Sequence, residues 1–171
     1  MIRLVAPVAV ACFISACATS PGGPTAVAQL TPTRGNAVTG QVQFMQSGDR
    51  VRVTGEIRGL RPNAEHGFHV HEKGDCSSGD GLSAGGHFNP DGRAHGAYDH
   101  PEHHAGDLPS LKADASGNAR ISFNSGTLSV GNGKADLVGR GLIVHRDPDD
   151  FNTQPTGNAG PRLACAVITK S

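Results

Sequence analysis

The sequence has no tryptophan, one tyrosine and six phenylalanines in 171 residues, against 24 glycines. So few aromatics among so many glycines suit short strands and long ordered loops better than a helical bundle. No apolar period of helical spacing runs for a useful length. Charge imbalance is missing too. Fifteen Lys and Arg face fifteen Asp and Glu, a formal net charge of zero. That excludes a general basic field for nucleic acid and an acidic one for a basic partner. Cysteine is scarce, and the two in the body, Cys76 and Cys165, lack zinc-finger spacing, which argues against a Cys-ligated structural zinc. The length suits one domain and a short leader.

Residues 1–16 place one Arg before an apolar run of about a dozen residues, too short for a stable bilayer-spanning helix and typical of a secretory signal. The run ends in Ile14-Ser15-Ala16-Cys17, which resembles a bacterial lipobox with Cys17 as the lipidated residue. Residues 17–25 then read as the lipidated Cys and a flexible tether. The competing reading is cleavage after Ala28, giving a soluble periplasmic or secreted form. Pro21 to Pro24 separate that site from the apolar run, and Ala26 to Leu30 reads as the first strand of a domain over 26–171. Localisation is therefore expected to be the periplasmic side of a bacterial membrane, through a lipid anchor. In an exported chain the two body cysteines read as one disulfide, with two buried thiols as the alternative.

Within the body, Val38, Val42 and Phe44 alternate with polar residues, and Val51, Val53 and Ile57 repeat the pattern after Gln46-Ser47-Gly48-Asp49. This predicts a β-hairpin with one buried face. Further strands are predicted at His66–His71, Ala119–Phe123, Leu142–His145 and Ala164–Thr169. Two Gly/Pro/Asp-rich stretches, Glu72–Pro109 and Arg146–Pro161, are long enough to be functional loops. The fold class expected is all-β, a sandwich or barrel carrying two large loops.

Nine histidines occur, mostly between His66 and His104, with His145 beyond. His69 and His71 share one strand face, about 7 Å apart, and can converge on one ion. His87, His95, His104 and Asp107 follow. Imidazole-rich ligation suits copper or zinc and not calcium or magnesium.

The segments Gly67–Glu72 (GFHVHE), Gly86–Pro90 (GHFNP), His95-Gly96, His104–Leu108 (HAGDL) and Gly157–Cys165 (GNAGPRLAC) resemble the copper/zinc superoxide dismutases, in order and with that family's spacing, over about residues 26–171. The resemblance implies a Greek-key barrel of about eight antiparallel strands and the dismutation of superoxide. It implies copper on His69, His71, His87 and His145, and zinc on His87, His95, His104 and Asp107, with His87 bridging. Cys76 and Cys165 would form the disulfide. Arg162 would guide the anion, with His87 as its catalytic partner. Asp149 would orient His69 and His95. His66 matches a position without a ligand role, His100 is unmatched, and His104 is preferred to His103 on its spacing to Asp107. The family includes homodimers and monomers, and the sequence does not choose between them. One departure stands out: the second loop reads Phe151-Asn152-Thr153-Gln154-Pro155, uncharged where many relatives carry charge. Rival readings are a copper carrier on the same fold, a copper-only enzyme, and an envelope protein that uses metals for stability alone. The complete donor set and Arg162 favour the enzyme.

Overall fold

The computed structural model describes residues 22–171. The leader and Cys17 lie outside the described residues. Strands β1 (Thr25–Pro32), β2 (Thr39–Ser47), β3 (Arg50–Arg58), β5 (Phe68–His71), β7 (Ala119–Ser125), β8 (Gly141–His145) and β9 (Arg162–Lys170) form one antiparallel sheet in the order β5-β8-β9-β1-β2-β3-β7. Strands β4 (Glu65–His66) and β6 (Leu111–Lys112) add a separate two-stranded ladder.

The alternation of apolar residues sets the register. Phe44 faces Val53, and Val42 faces Gly55, across β2 and β3. A two-residue turn joins them, with Gly48 at φ 61° supplying the left-handed corner. Phe44, Phe68, Leu30, Ile57, Leu142 and Ile168 are fully buried in one core. Each such side chain contributes about 1.5–3 kcal/mol through burial.

The strand expected over His66–His71 is interrupted at Gly67. The Gly67 amide donates to the Asp147 carbonyl (2.8 Å), and its own carbonyl accepts from the His145 amide (2.8 Å). The chain therefore turns from partner β6 to partner β8 at that residue. The ladder at β4 and β6 is too short to show any alternation in sequence.

Two long connections cover the β5–β8 end of the sheet. The first, residues 72–110, carries a 3₁₀ turn at Leu82–Ala84 and is bonded to β9 by the Cys76–Cys165 disulfide. Its second half returns to β5: Phe88 donates to Val70 (2.8 Å), Gly106 to Phe88 (2.9 Å), and Val70 to Gly106 (2.9 Å). A β-carbon at Gly106 would collide with the Val70 carbonyl, so this close approach needs glycine. The Tyr98 hydroxyl donates to the Asn124 carbonyl on β7 (2.6 Å), tying down the far side. The second connection, residues 146–161, joins β8 to β9. Their pairing slips at the end, with Val144 opposite Ala164 but His145 opposite Arg162. The extra residue, Leu163, is a bulge that brings Arg162 level with His145.

Candidate metal centre

Two groups of buried side chains converge, each with its ligand atoms within 4.8 Å of one another: His69, His71, His87 and His145, and His87, His95, His104 and Asp107. His87 belongs to both. Strand β5 supplies His69 and His71, β8 supplies His145, and the first loop supplies the rest. Isolated bridges place Asp107 beside His69 and His87 beside His71, so the loop is laid against β5 like a further strand.

In the first group each ring has one nitrogen committed and one left over. His69 Nε2 donates to Asp149 Oδ2 (2.8 Å), leaving Nδ1 buried without a partner. His71 Nδ1 donates to the Gly85 carbonyl (2.9 Å) and His145 Nδ1 to the Gly160 carbonyl (3.2 Å), while their Nε2 atoms face each other at 3.3 Å. His87 Nδ1 lies 2.8 Å from Asp107 Oδ1, and its Nε2 is a second unpartnered buried nitrogen. These commitments select the tautomers and leave lone pairs aimed inward. Burial, helped by neighbouring rings, pushes the basicity of His71 and His145 well below the ordinary range. Burial takes His87 down to about 4, against the pull of Asp107. All three are neutral imidazoles at neutral pH, the form that ligates.

The second group surrounds Asp107. His104 Nδ1 lies 3.3 Å from Oδ1 and His95 Nδ1 lies 3.1 Å from Oδ2, both without hydrogen-bond direction. Four ligands about 2.0–2.1 Å from a tetrahedral zinc stand about 3.3 Å apart, so these contacts have the spacing of a coordination shell. Asp107 is buried, which alone would raise its pKa, but the close rings of His104, His87 and His95 hold it far below the carboxylate range. His95 is pulled the other way. Burial lowers it, yet Asp107 and Asp149 outweigh burial and raise it to about 9. The anionic field that favours a cation on that ring is the field a divalent ion would meet. The donor sets fit the two metals: four imidazoles for copper, three imidazoles and a carboxylate for zinc.

Asp149 joins the two halves. One carboxylate oxygen takes His69 Nε2 and the other lies 3.3 Å from His95 Nε2. Gly157 makes room for it. A β-carbon there would overlap Asp149 Oδ1 and sit 2.5 Å from His95 Nε2.

Arg162 stands at the edge of the first group, half-buried. Its guanidinium donates to the carbonyls of Gly81 (2.5 Å) and Gly85 (2.6 Å). Among the described residues no carboxylate lies within ion-pair range of it, although Asp80 is near enough to feel its charge. That charge is felt at His71 and at His145, where it adds to the lowering of both pKa values.

The remaining histidines serve other ends. His66 Nδ1 donates to the His145 carbonyl (2.9 Å). His103 is buried but turns away, donating to the His104 carbonyl (2.7 Å) beside Tyr98. His100 is exposed. Sequence reasoning missed the carbonyls of Gly81, Gly85 and Gly160 and the crowding at Gly157. No side-chain pattern marks a carbonyl's role.

Comparison with known proteins agrees with this geometry. A model of the copper/zinc superoxide dismutase family matches residues 38–168. A Cu-Zn superoxide dismutase of Paramecium bursaria Chlorella virus 1 is 44% identical over 137 residues, covering 77% of this chain and 72% of the relative. Superoxide dismutase [Cu-Zn] 2 of Aquifex aeolicus (strain VF5) is 37% identical over 145 residues, covering 82% and 84%. The crystal structure of the clock protein EA4 matches with a TM-score of 0.77 at 38% identity, covering 85% of this chain and 93% of that one. A curled antiparallel sheet, two metal-type donor clusters sharing His87, and these relatives point the same way: the chain belongs to the copper/zinc superoxide dismutase family.

Proposed function

We propose that this chain converts two superoxide ions and two protons into dioxygen and hydrogen peroxide, with copper held by His69, His71, His87 and His145 and zinc by His87, His95, His104 and Asp107. The observation that carries the reading is His87, buried between both donor groups with one nitrogen facing each. Bound copper supplies a one-electron redox couple, and bound zinc supplies fixed charge and geometry.

The residues of the chain do the rest. Arg162 offers an uncompensated guanidinium beside His71 and His145, where an anion must dock. Its anchoring by two carbonyls leaves the charge unneutralised while fixing the fork. His87 Nε2 is the atom that holds a proton and passes it to departing peroxide, while Nδ1 stays on the Asp107 side. Asp149 fixes the tautomer of His69 through Nε2 and sets its other oxygen against His95 Nε2. Metal content per chain, measured with the decay of pulse-generated superoxide, tests the proposal. The expected result is one copper and one zinc per chain with fast decay. Fully metallated protein that leaves the decay at its spontaneous rate would refute it.

The chain is also proposed to be exported and held on the periplasmic side of a bacterial membrane by lipid on Cys17. Support comes from the Ile14-Ser15-Ala16-Cys17 pattern after an apolar run. Cleavage after Ala28 would remove the first half of β1, including buried Ala26 and Ala28, which pair with both β2 and β9. The Cys76–Cys165 bond suits an oxidising compartment. Intact-mass analysis of mature protein is expected to show a lipidated Cys17. An unmodified terminus at Gln29 would overturn this reading.

A further inference from the structure

Asp149 reaches His95 from the ring side, and a second residue of the same connection reaches it from the backbone side. Gln154 Oε1 accepts from the His95 amide (2.9 Å), and Gln154 Nε2 donates to the His95 carbonyl (2.9 Å). One side-chain amide thus satisfies both polar groups of a single residue, as a neighbouring strand would. The pairing spans 59 positions of sequence. Around it the second connection has little else to hold the first. Phe151, Asn152 and Pro155 bring no charge, and the Thr153 hydroxyl turns back to Asp150.

We infer that Gln154 is a positioning residue for the zinc half of the centre, acting through the peptide of His95. The geometry explains how. The His95 ring must present Nδ1 to Asp107 while Nε2 faces Asp149. Asp149 faces one end of the ring at 3.3 Å, but the ring can still swing if its backbone shifts. Gln154 fixes the other end by holding the amide and carbonyl of His95 at two points, and two bonds set direction as well as position. Residues 149–157 therefore close on His95 like a pincer, with Gly157 giving the space in which Asp149 and the ring meet. The chain carries the clasp as a neutral amide in the uncharged stretch Phe151–Pro155. This inference rests on the assignment of His95 to the zinc group.

The test is Gln154→Met in the whole chain, which keeps length and bulk and removes both hydrogen bonds. Gln154→Ala is the second variant, and Asn152→Ala is the control, since the Asn152 side chain makes no hydrogen bond among the described residues. Zinc is titrated against a competing chelator, and cobalt(II) placed in the zinc site reports its ligand field by visible absorption. Loss of an outer partner of a metal ligand weakens metal affinity about 10–100-fold. The expected result is a fall of roughly tenfold or more in zinc affinity with a shifted cobalt spectrum in both Gln154 variants, with copper affinity and the Asn152→Ala protein unchanged. Wild-type zinc affinity and an unchanged cobalt spectrum would overturn the inference. So would equal loss of both metals with an equal fall in metal-free melting temperature, which would mark Gln154 as a general fastener of the fold. If zinc fails to bind even wild-type protein at His95, the metal assignment fails and not the clasp.

Discussion

Gly157→Ala separates backbone strain from damage to the centre. Gly157 sits at φ 68°, a left-handed conformation that costs an alanine about 1–2 kcal/mol. The new methyl group would also occupy the place of Asp149 Oδ1 and press on His95 Nε2. Asp149 must move, and its bond to His69 (2.8 Å) goes with it. A hydrogen bond to a charged group is worth about 1.5–3 kcal/mol. The sum is about 2.5–5 kcal/mol. At about 2–4 °C per kcal/mol for a chain of this size, metal-free protein should melt roughly 5–20 °C lower. Gly131→Ala is the matched control: its φ is 81°, but a β-carbon there meets nothing within 4 Å. It should show the backbone cost alone. Because Asp149 braces one ring in each half, Gly157→Ala should weaken both metals in chelator competition, and Gly131→Ala neither. Equal melting temperatures for the two variants, with both metals bound normally, would refute the argument that Gly157 exists to make room for Asp149.

Cys165→Ser opens a covalent loop with a sequence separation of 89 residues and should destabilise the metal-free fold by on the order of 4 kcal/mol in denaturant titration; a loss below about 1 kcal/mol would contradict the chain-entropy account. Arg162→Glu should retain both metals by elemental analysis yet slow superoxide decay by roughly tenfold or more, with Arg162→Lys milder because the charge remains and the planar fork does not. Unchanged decay in Arg162→Glu with both metals bound would remove Arg162 as the anion guide. His145→Ala should lose copper and activity while keeping zinc, whereas Asp107→Ala should lose zinc first; the same metal loss in both variants would show that the two groups are not separable.

The barrel was legible because β1, β2, β3 and β7 carry one buried face each, although β5 and β8 are buried throughout. Val42, Phe44, Val51, Val53 and Ile57 announce β2 and β3, and their pairing follows from that parity. The metal centre was legible because imidazole and carboxylate are the chemistry, so the ligands are visible as letters. What escaped was carried by backbone. Gly85, Gly81 and Gly160 act through carbonyls, which every residue possesses. Gly157 acts through a missing atom. The β4–β6 ladder, two residues a side, is held by tertiary contact and not by propensity. Gln154 stood in plain view in an uncharged stretch, but only folding shows that its amide meets a peptide 59 positions away.

The carbonyl of Gly85 accepts one hydrogen bond from His71 and another from Arg162. A machinist would call such a point a shared datum: two parts located from one reference carry the same error. A shift of Gly85 would act on the ligand and the guiding cation at once, while β5 and β9 hold their backbones. One loop carbonyl thus sets both where the incoming ion is bound and what draws it in.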